Sequence, residues 1–368
     1  MATSQISKLT IKGFKSIKEL NSFELKSMNV LIGPNGTGKS NFVSFFRMLY
    51  ALVEGRLQSY IQEKEISADR ILSYGVKNTE SFYSLIEFGI NAYEFNLKPT
   101  PDGRLFFESE NAELTGGTSK LTGGNYQPKT VRLGNANSES NLKSNNASVA
   151  KYVYSAISNW RVYHFHDTSL TAGVKRQCSL LDHQYLRPDA SNLAAYLYYL
   201  KPNERYRQIV RTVQLALPYF DDFVLEPVTS PSGERNIILA WRQKDSDYVL
   251  WPSQLSDGSL RFICLVTALL QHFPPATIII DEPELGLHPL AISLLGNLLK
   301  SAAANMQVIV STQSVPLLNE FSLDDIIVVE RENGESKFKR LVEADFAEWL
   351  QDYTIGELWE KNVLGGRP

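Results

Sequence analysis

A chain of 368 residues that is 43% hydrophobic can bury a large core, enough for one large or two modest domains. Its 37 Lys+Arg against 40 Asp+Glu leave a formal charge of −3, which excludes an all-over electrostatic nucleic-acid binder while leaving room for a local basic face. No apolar stretch approaches a membrane span, the opening Met1-Ala2-Thr3-Ser4-Gln5 is polar, and neither Cys178 nor Cys264 has metal-ligand or redox spacing. A cytoplasmic protein without membrane contact is expected.

The first informative element is the short apolar strand Ser27-Met28-Asn29-Val30-Leu31-Ile32. It runs into Gly33-Pro34-Asn35-Gly36-Thr37-Gly38-Lys39-Ser40, which fits G-x-x-x-x-G-K-[ST] without a mismatch. From Asn41 to Val53 the apolar residues Phe42, Phe45, Phe46, Leu49 and Leu52 carry helical spacing. Strand, glycine loop and helix are the context a P-loop requires. Backbone N–H groups can turn inward around phosphate oxygens, and the helix N-terminus adds partial positive charge. Lys39 is expected to reach the β- and γ-phosphates and Ser40 to hold Mg2+. Asn35, Gly36, Thr37, Gly38 and Asn41 complete the expected nucleotide-binding set.

Further along, Ser81 to Leu97 and Arg104 to Glu108 alternate as strands of an antiparallel layer. Residues 115–149 are rich in Gly, Asn, Ser and Thr, including Gly116-Gly117, Gly123-Gly124 and Asn145-Asn146, and read as a polar, flexible insertion that is partly disordered. Trp160 to His166 alternates as a strand. His164 and His166 share a face there, but no Cys or acidic cluster accompanies them and a metal site is not expected. Ala190 to Leu200 and Asn203 to Leu217 read as two helices broken at Lys201-Pro202. Their tyrosines (Tyr196, Tyr198, Tyr199, Tyr206) and Arg205, Arg207 and Arg211 fit a packed lobe with a solvated side better than a DNA-binding face. Phe223 to Val228 and Arg235 to Trp241 bracket a turn and read as a hairpin.

Leu255-Ser256-Asp257-Gly258-Ser259-Leu260-Arg261 opens an apolar helix for which Ser256 is a natural N-cap. Thr277-Ile278-Ile279-Ile280-Asp281-Glu282 is a β-branched run ending in two carboxylates, as expected of a strand buried on both faces. Acids at its C-terminal end lie where α/β sheets hold ligands. Asp281 is the expected partner of Mg2+ through water, and Glu282 the base that orients and polarises the attacking water. Gln307 to Val310 forms the next strand. Ile326 to Arg331 and Ser336 to Leu341 flank Asn333-Gly334 as a hairpin, and a short amphipathic helix precedes a Gly/Pro end.

Taken together these motifs resemble the ATP-binding-cassette (ABC) ATPase superfamily, and within it the RecF/SMC/OLD branch. Leu255 to Arg261 matches that superfamily's signature, and Pro283 to Pro289 looks like its D-loop. Leu9-Thr10-Ile11-Lys12-Gly13-Phe14-Lys15-Ser16 is similar to the branch's opening strand. The likeness spans roughly residues 5–50 and 250–330. Short stand-alone bacterial AAA/ABC-type ATPases are the nearest group; they share the Ser311 to Ser314 stretch and the Gly365 to Pro368 ending.

The resemblance implies an α/β fold: a P-loop head of the ABC type with a parallel core sheet, a flanking antiparallel β-layer and an inserted helical lobe. It implies one head over 1–368, with a nucleotide core from 1–110 and 250–345, an insertion at 111–250 and a tail at 345–368. ATP and Mg2+ are the implied cofactors. A homodimer would close around ATP, with Ser256 and Gly258 of one copy covering the γ-phosphate held by Lys39 of the other. Lys15 joins the implied nucleotide set. His166 or Asp167 falls where relatives contact Mg2+ or water. Most relatives carry a switch His where this chain has Gln313, which can hydrogen-bond a phosphate but cannot titrate.

No heptad run separates the P-loop from the signature, so an SMC-type tether is not expected, and the stretch after Gln313 is too short for a Toprim nuclease. The implied function is an ATPase subunit of an antiphage-defence or DNA-damage system, controlling a separate effector such as a nuclease, with DNA or RNA as a ligand. The alternative is a nucleotide-gated nucleic-acid-binding module or RecF-like repair clamp with little turnover.

Overall fold

The computed structural model describes residues 4–118 and 125–367. Its central sheet has six strands in the order Trp160–Tyr163, Thr277–Asp281, Gln307–Ser311, β3 (Met28–Ile32), Ile326–Glu332 and Glu335–Arg340. The first five run parallel and the last is antiparallel. Strand β3 and its neighbours Thr277–Asp281 and Gln307–Ser311 are buried at every position. Alternate side chains enter two cores. Leu31, Ile279, Ile309 and Ile327 face one, shared with helix α1 (Lys39–Val53). Val30, Ile32, Ile278, Ile280, Val308 and Val310 face the other, shared with the helices Asp257–Leu269 and Pro289–Ala303. A sheet covered on both faces explains why these strands read as unbroken apolar runs.

A second six-stranded sheet, antiparallel, runs β2 (Ile17–Glu24), β1 (Ile6–Phe14), Phe82–Phe88, Asn91–Pro99, Leu105–Leu114 and Lys129–Gly134. It packs on α1 through edge-on aromatic pairs such as Phe14–Phe45 and Phe45–Phe82. Gln307 fastens the two sheets. Its Oε1 accepts from the Ile6 N–H (3.0 Å) and its Nε2 donates to the Ile6 and Lys26 carbonyls (2.7 and 2.9 Å). Behind it, Asn29 Nδ2 donates to the Val308 carbonyl at a sequence separation of 279.

From residue 129 onward the insertion is more ordered than its composition suggests. Lys129–Gly134 pairs with Leu105–Leu114, and the helix Ser148–Ile157 follows. The buried Glu110 staples the segment between them. Its carboxylate accepts from Tyr93 OH (2.6 Å), the Ser140 hydroxyl and the Asn141 N–H (3.0 Å). A polar stretch can be fixed in this way because its anchor lies on a different strand, where composition does not register it. Gly123 and Gly124 lie outside the described residues.

The hairpin read at 223–241 is interrupted. Val224 pairs with Ala240 and Val228 with Asn236 in one continuing register, but the ladder lapses between them, where Pro227 has no N–H to donate. The helices Leu193–Leu200 and Glu204–Ala216 are present, and Asn203 caps the second by accepting from the Arg205 N–H. Tyr196 and Tyr206 are buried, with Tyr206 OH donating to Asp222 (2.7 Å), so the packed-lobe reading holds. Asn333 and Gly334 have φ of 49° and 85°, the left-handed pair that a two-residue hairpin turn needs. Among the described residues no helix is long and apolar enough to cross a membrane.

Candidate functional site

Strand β3 delivers Gly33 to Ser40 to the start of α1, so the loop's amides and the helix N-terminus meet at one point. Gly38, at φ 109°, has no alternative residue: a Cβ there would stand 2.0 Å from Ser336 Oγ and 2.6 Å from Ser16 Oγ. Those hydroxyls bond each other at 2.7 Å. Ser336 also donates to the Thr37 carbonyl, and Ser16 accepts from Asn41 Nδ2 (2.7 Å). Two segments from opposite ends of the sequence therefore clamp the loop. Thr37 Oγ1 donates to the Pro34 carbonyl at 2.9 Å, closing the loop on itself.

Lys39 is buried, and its ammonium donates to the carbonyls of Gly33 and Pro34 (3.0 Å to the latter). Burial pulls its pKa down, against the opposing fields of Glu282, Asp281 and Glu284. Asn35 and Ser40 are exposed at the mouth of the loop. Beside them a cavity of about 330 Å3 is lined by Pro34, Gly36, Arg331 and Arg367 among others. Arg331 Nη1 donates to the Gly36 carbonyl at 3.4 Å.

The carboxylates arrive on the neighbouring parallel strands. Asp281 ends the strand Thr277–Asp281, and Oδ1 accepts from the Ser311 hydroxyl of the paired strand. Glu282 follows with φ 45°, a left-handed conformation costly for a non-glycine residue, of order 1–3 kcal/mol. It is held there by its N–H on the Ser311 carbonyl (2.9 Å). Gln313 Nε2 donates to Glu282 Oε1 (2.9 Å) and to Asn35 Oδ1 (2.7 Å), so one amide spans the loop and the carboxylate. Glu284, which sequence reasoning passed over, supports this amide. Its Oε1 accepts from Thr312 Oγ1 (2.6 Å) and the Gln313 N–H (3.1 Å), while Oε2 is buried with no partner. Desolvation raises its pKa.

His166 Nε2 lies 3.0 Å from the Asp281 backbone carbonyl, so the segment after Trp160–Tyr163 touches the end of the strand that carries Asp281. The strand itself ends at Tyr163, before both histidines. Asp167 is exposed, and its Oδ1 accepts from the Ser169 N–H instead.

At the signature, Ser256 caps the helix Asp257–Leu269, accepting from the Ser259 N–H at 3.1 Å. A Cβ on Gly258 would meet the Gly286 carbonyl at 2.1 Å, so glycine permits the helix start to press on the D-loop. Arg261 locks that contact, donating to the carbonyls of Leu285 (2.8 Å), Phe165 (3.0 Å) and His166 (3.0 Å). Among the described residues no hydrogen bond joins Ser256 or Gly258 to the P-loop. Lys15 is not brought to the loop either: its ammonium pairs with Glu65 at 2.7 Å. Ser16 beside it touches the loop instead.

Sequence reading missed Ser16, Ser336, Glu284 and Arg261. For Ser16 a signal existed, in the Gly13-Phe14-Lys15-Ser16 opening. The exposed hydroxyl of Ser40 and the carboxylate of Asp281 are hard oxygen donors suited to Mg2+ alongside nucleotide phosphates.

The family model described as "AAA domain, putative AbiEii toxin, Type IV TA system" matches residues 28–319. A search of curated proteins returns no match. Among solved structures, an SMC head bound to the C-winged helix domain of ScpA aligns with a TM-score of 0.61 and 16% identity, covering 94% of this chain and 99% of its own. The Smc head domain with an extended coiled coil, bound to the C-terminal domain of ScpA and derived from Pyrococcus furiosus, aligns with a TM-score of 0.57 at 16% identity, covering 95% and 99%. These likenesses show the fold alone, that of an SMC head domain.

Proposed function

The chain belongs to that AAA-domain family, and from this premise we propose that it is an ATP-hydrolysing switch whose heads pair around ATP. The observation that carries the reading is the amide of Gln313, shared between Asn35 of the P-loop and Glu282. A group so held feels both the γ-phosphate and the water that attacks it.

On ATP entry, the ammonium of Lys39 exchanges the carbonyls of Gly33 and Pro34 for the β- and γ-phosphates. The amides from Asn35 to Ser40 surround the phosphate oxygens, and Asn41 keeps the helix start tied to Ser16. Ser40 and Asp281 would hold Mg2+, which when bound would neutralise phosphate charge. Glu282 orients the water and draws on its proton, while Gln313 keeps that carboxylate aimed. Ser256 and Gly258 serve the nucleotide of a second copy. In this reading hydrolysis separates the two heads, and the change is passed to a partner effector, such as a nuclease in an antiphage or DNA-damage response. The two SMC heads are described as bound to ScpA domains, which favours a separate protein partner here as well.

Glu282→Gln tests the chemistry. It should keep ATP binding, lower steady-state phosphate release by about 10²–10⁴-fold and accumulate an ATP-bound dimer in size-exclusion chromatography. Unchanged release removes Glu282 from its role. A second reading, a nucleotide-gated binding module with little turnover, is favoured by the non-titrating Gln313. ATP-dependent pairing without measurable phosphate release in the native chain would select it.

A further inference from the structure

About 12 Å along α1 from Lys39, at 1.5 Å per residue, the helix presents Arg47 and Tyr50 to a second, larger cleft. Its volume is about 680 Å3, within the range of ligand pockets. Arg56, Lys64, Arg161 and Tyr185 line it from other segments, with Glu63 and Asp189 as the acids. Among the described residues Arg47, Arg56, Lys64 and Arg161 make no carboxylate ion pair within 4.0 Å. Four cations without acidic partners converge on one concave surface of a chain whose net charge is −3. The guanidinium of Arg161 lies 5.8 Å from the ring centroid of Tyr50 and 4.8 Å from that of Tyr185. Hydrogen bonds to the Ser158 and Trp160 carbonyls hold it between the rings.

We propose that this cleft binds a nucleotide unit, with the base stacked on Tyr185, whose ring Arg161 braces, and the phosphate held by Arg47, Arg56 and Lys64. Aromatic faces and unpaired cations side by side are what a base and its phosphate require, and base–aromatic stacking contributes about 1–3 kcal/mol per base. The same chemistry is offered by a free nucleotide and by a unit of single-stranded nucleic acid.

The cleft is wired to the ATP centre. Arg47 Nη2 lies 3.0 Å from His164 Nδ1, the His164 and His166 ring centroids are 4.0 Å apart, and His166 Nε2 reaches the Asp281 carbonyl at 3.0 Å. The Nδ1 of His164 faces the Arg47 guanidinium and can accept a hydrogen bond from it. A phosphate that draws Arg47 away alters a chain of contacts ending on the Asp281 backbone. This coupling rests on the ATPase reading; the binding site does not.

The test uses fluorescein-labelled dT12 in anisotropy titrations of the full chain, with unlabelled dTMP as competitor. Binding is expected in the native chain and, within about twofold, in Lys39→Ala, which separates this cleft from the P-loop. Tyr185→Ala and Arg161→Ala should each weaken it about tenfold or more. Tyr185 is half exposed, so its truncation leaves the core alone and circular-dichroism melting should be unchanged. Displacement by millimolar dTMP identifies a free nucleotide as sufficient; failure of dTMP to displace identifies a strand. Absence of dT12 and dTMP binding, or equal affinity in Tyr185→Ala and the native chain, overturns the site. For the coupling, saturating dT12 should change ATP turnover at least about threefold in the native chain and not in His164→Ala. Equal turnover with and without dT12 in the native chain overturns that half while leaving the ATPase reading intact.

Discussion

The P-loop corner and the signature corner of this head draw on similar residues, small hydroxyls, glycines and an arginine or lysine, but their bonds run in different directions. At the P-loop corner they cross between segments: Ser336 to Thr37, Asn41 to Ser16, Gln313 to both Asn35 and Glu282, and Ser311 to Asp281. At the signature corner, Ser256 bonds within its own helix turn, while Gly258 and Arg261 lean back on the D-loop. The first corner is complete within one chain. The second is a finished surface on which Ser256 is exposed, and among the described residues it makes no hydrogen bond to the P-loop. In the proposed composite site it would serve the nucleotide of a second copy.

The sharpest way to break this comparison is to disable one corner at a time. Lys39→Ala should lower ATP affinity by about 100-fold, from loss of a buried cation facing phosphates. Ser256→Arg should leave ATP binding by the isolated subunit nearly intact and abolish ATP-dependent pairing and turnover. Mixed together, the two variants form heterodimers with one intact composite site, and partial phosphate release should return. A silent mixture with heterodimers present means that both sites must fire together or that the corners do not meet. Full turnover in Ser256→Arg alone removes the composite site.

A smaller effect is expected within the P-loop corner. Gln313→Ala should reduce turnover about tenfold, the loss of one to two hydrogen bonds to charged groups, while Gln313→His should preserve or raise it. Equal rates for all three chains would make Gln313 structural. The smallest effect concerns Glu284. Its pKa is raised in the folded state by burial, so the protonated form is the favoured one there. Its contribution to stability is therefore complete below the ordinary carboxyl pKa and is lost as pH rises through the raised value. Glu284→Gln should flatten that decline in urea titrations across acid to neutral pH. An unchanged pH slope would show that Glu284 is ionised at no cost.

The division between the corners also explains what the sequence made readable. Gly33 to Ser40 and Asp281-Glu282 are contiguous because backbone amides and a strand end do the work, so a single window reveals them. Ser16, Ser336 and Glu284 act through contacts between segments far apart in the chain, and no local pattern marks a serine as the one that closes against Gly38. The parallel core strands were legible because both faces are buried. Within the 115–149 insertion, the order around Ser140 and Asn141 was not legible because the residue that fixes them, Glu110, lies outside it on another strand. Lys15 entered only through the resemblance, and its ammonium is paired with Glu65.

Gln307, which laces the two sheets together, also sets the order in which this molecule can assemble. It reaches the Ile6 backbone across a sequence separation of 301, and the P-loop strand gains its partners only from the last third of the chain. Contacts so distant carry a loop-closure cost before they return any stabilisation, which slows folding. The phosphate cradle is then among the late structures to form during synthesis. Until Gln307 and the strands after it arrive, β3 lacks both of its neighbours and the face of α1 turned to the central sheet is only partly covered, which leaves the nascent chain open to aggregation.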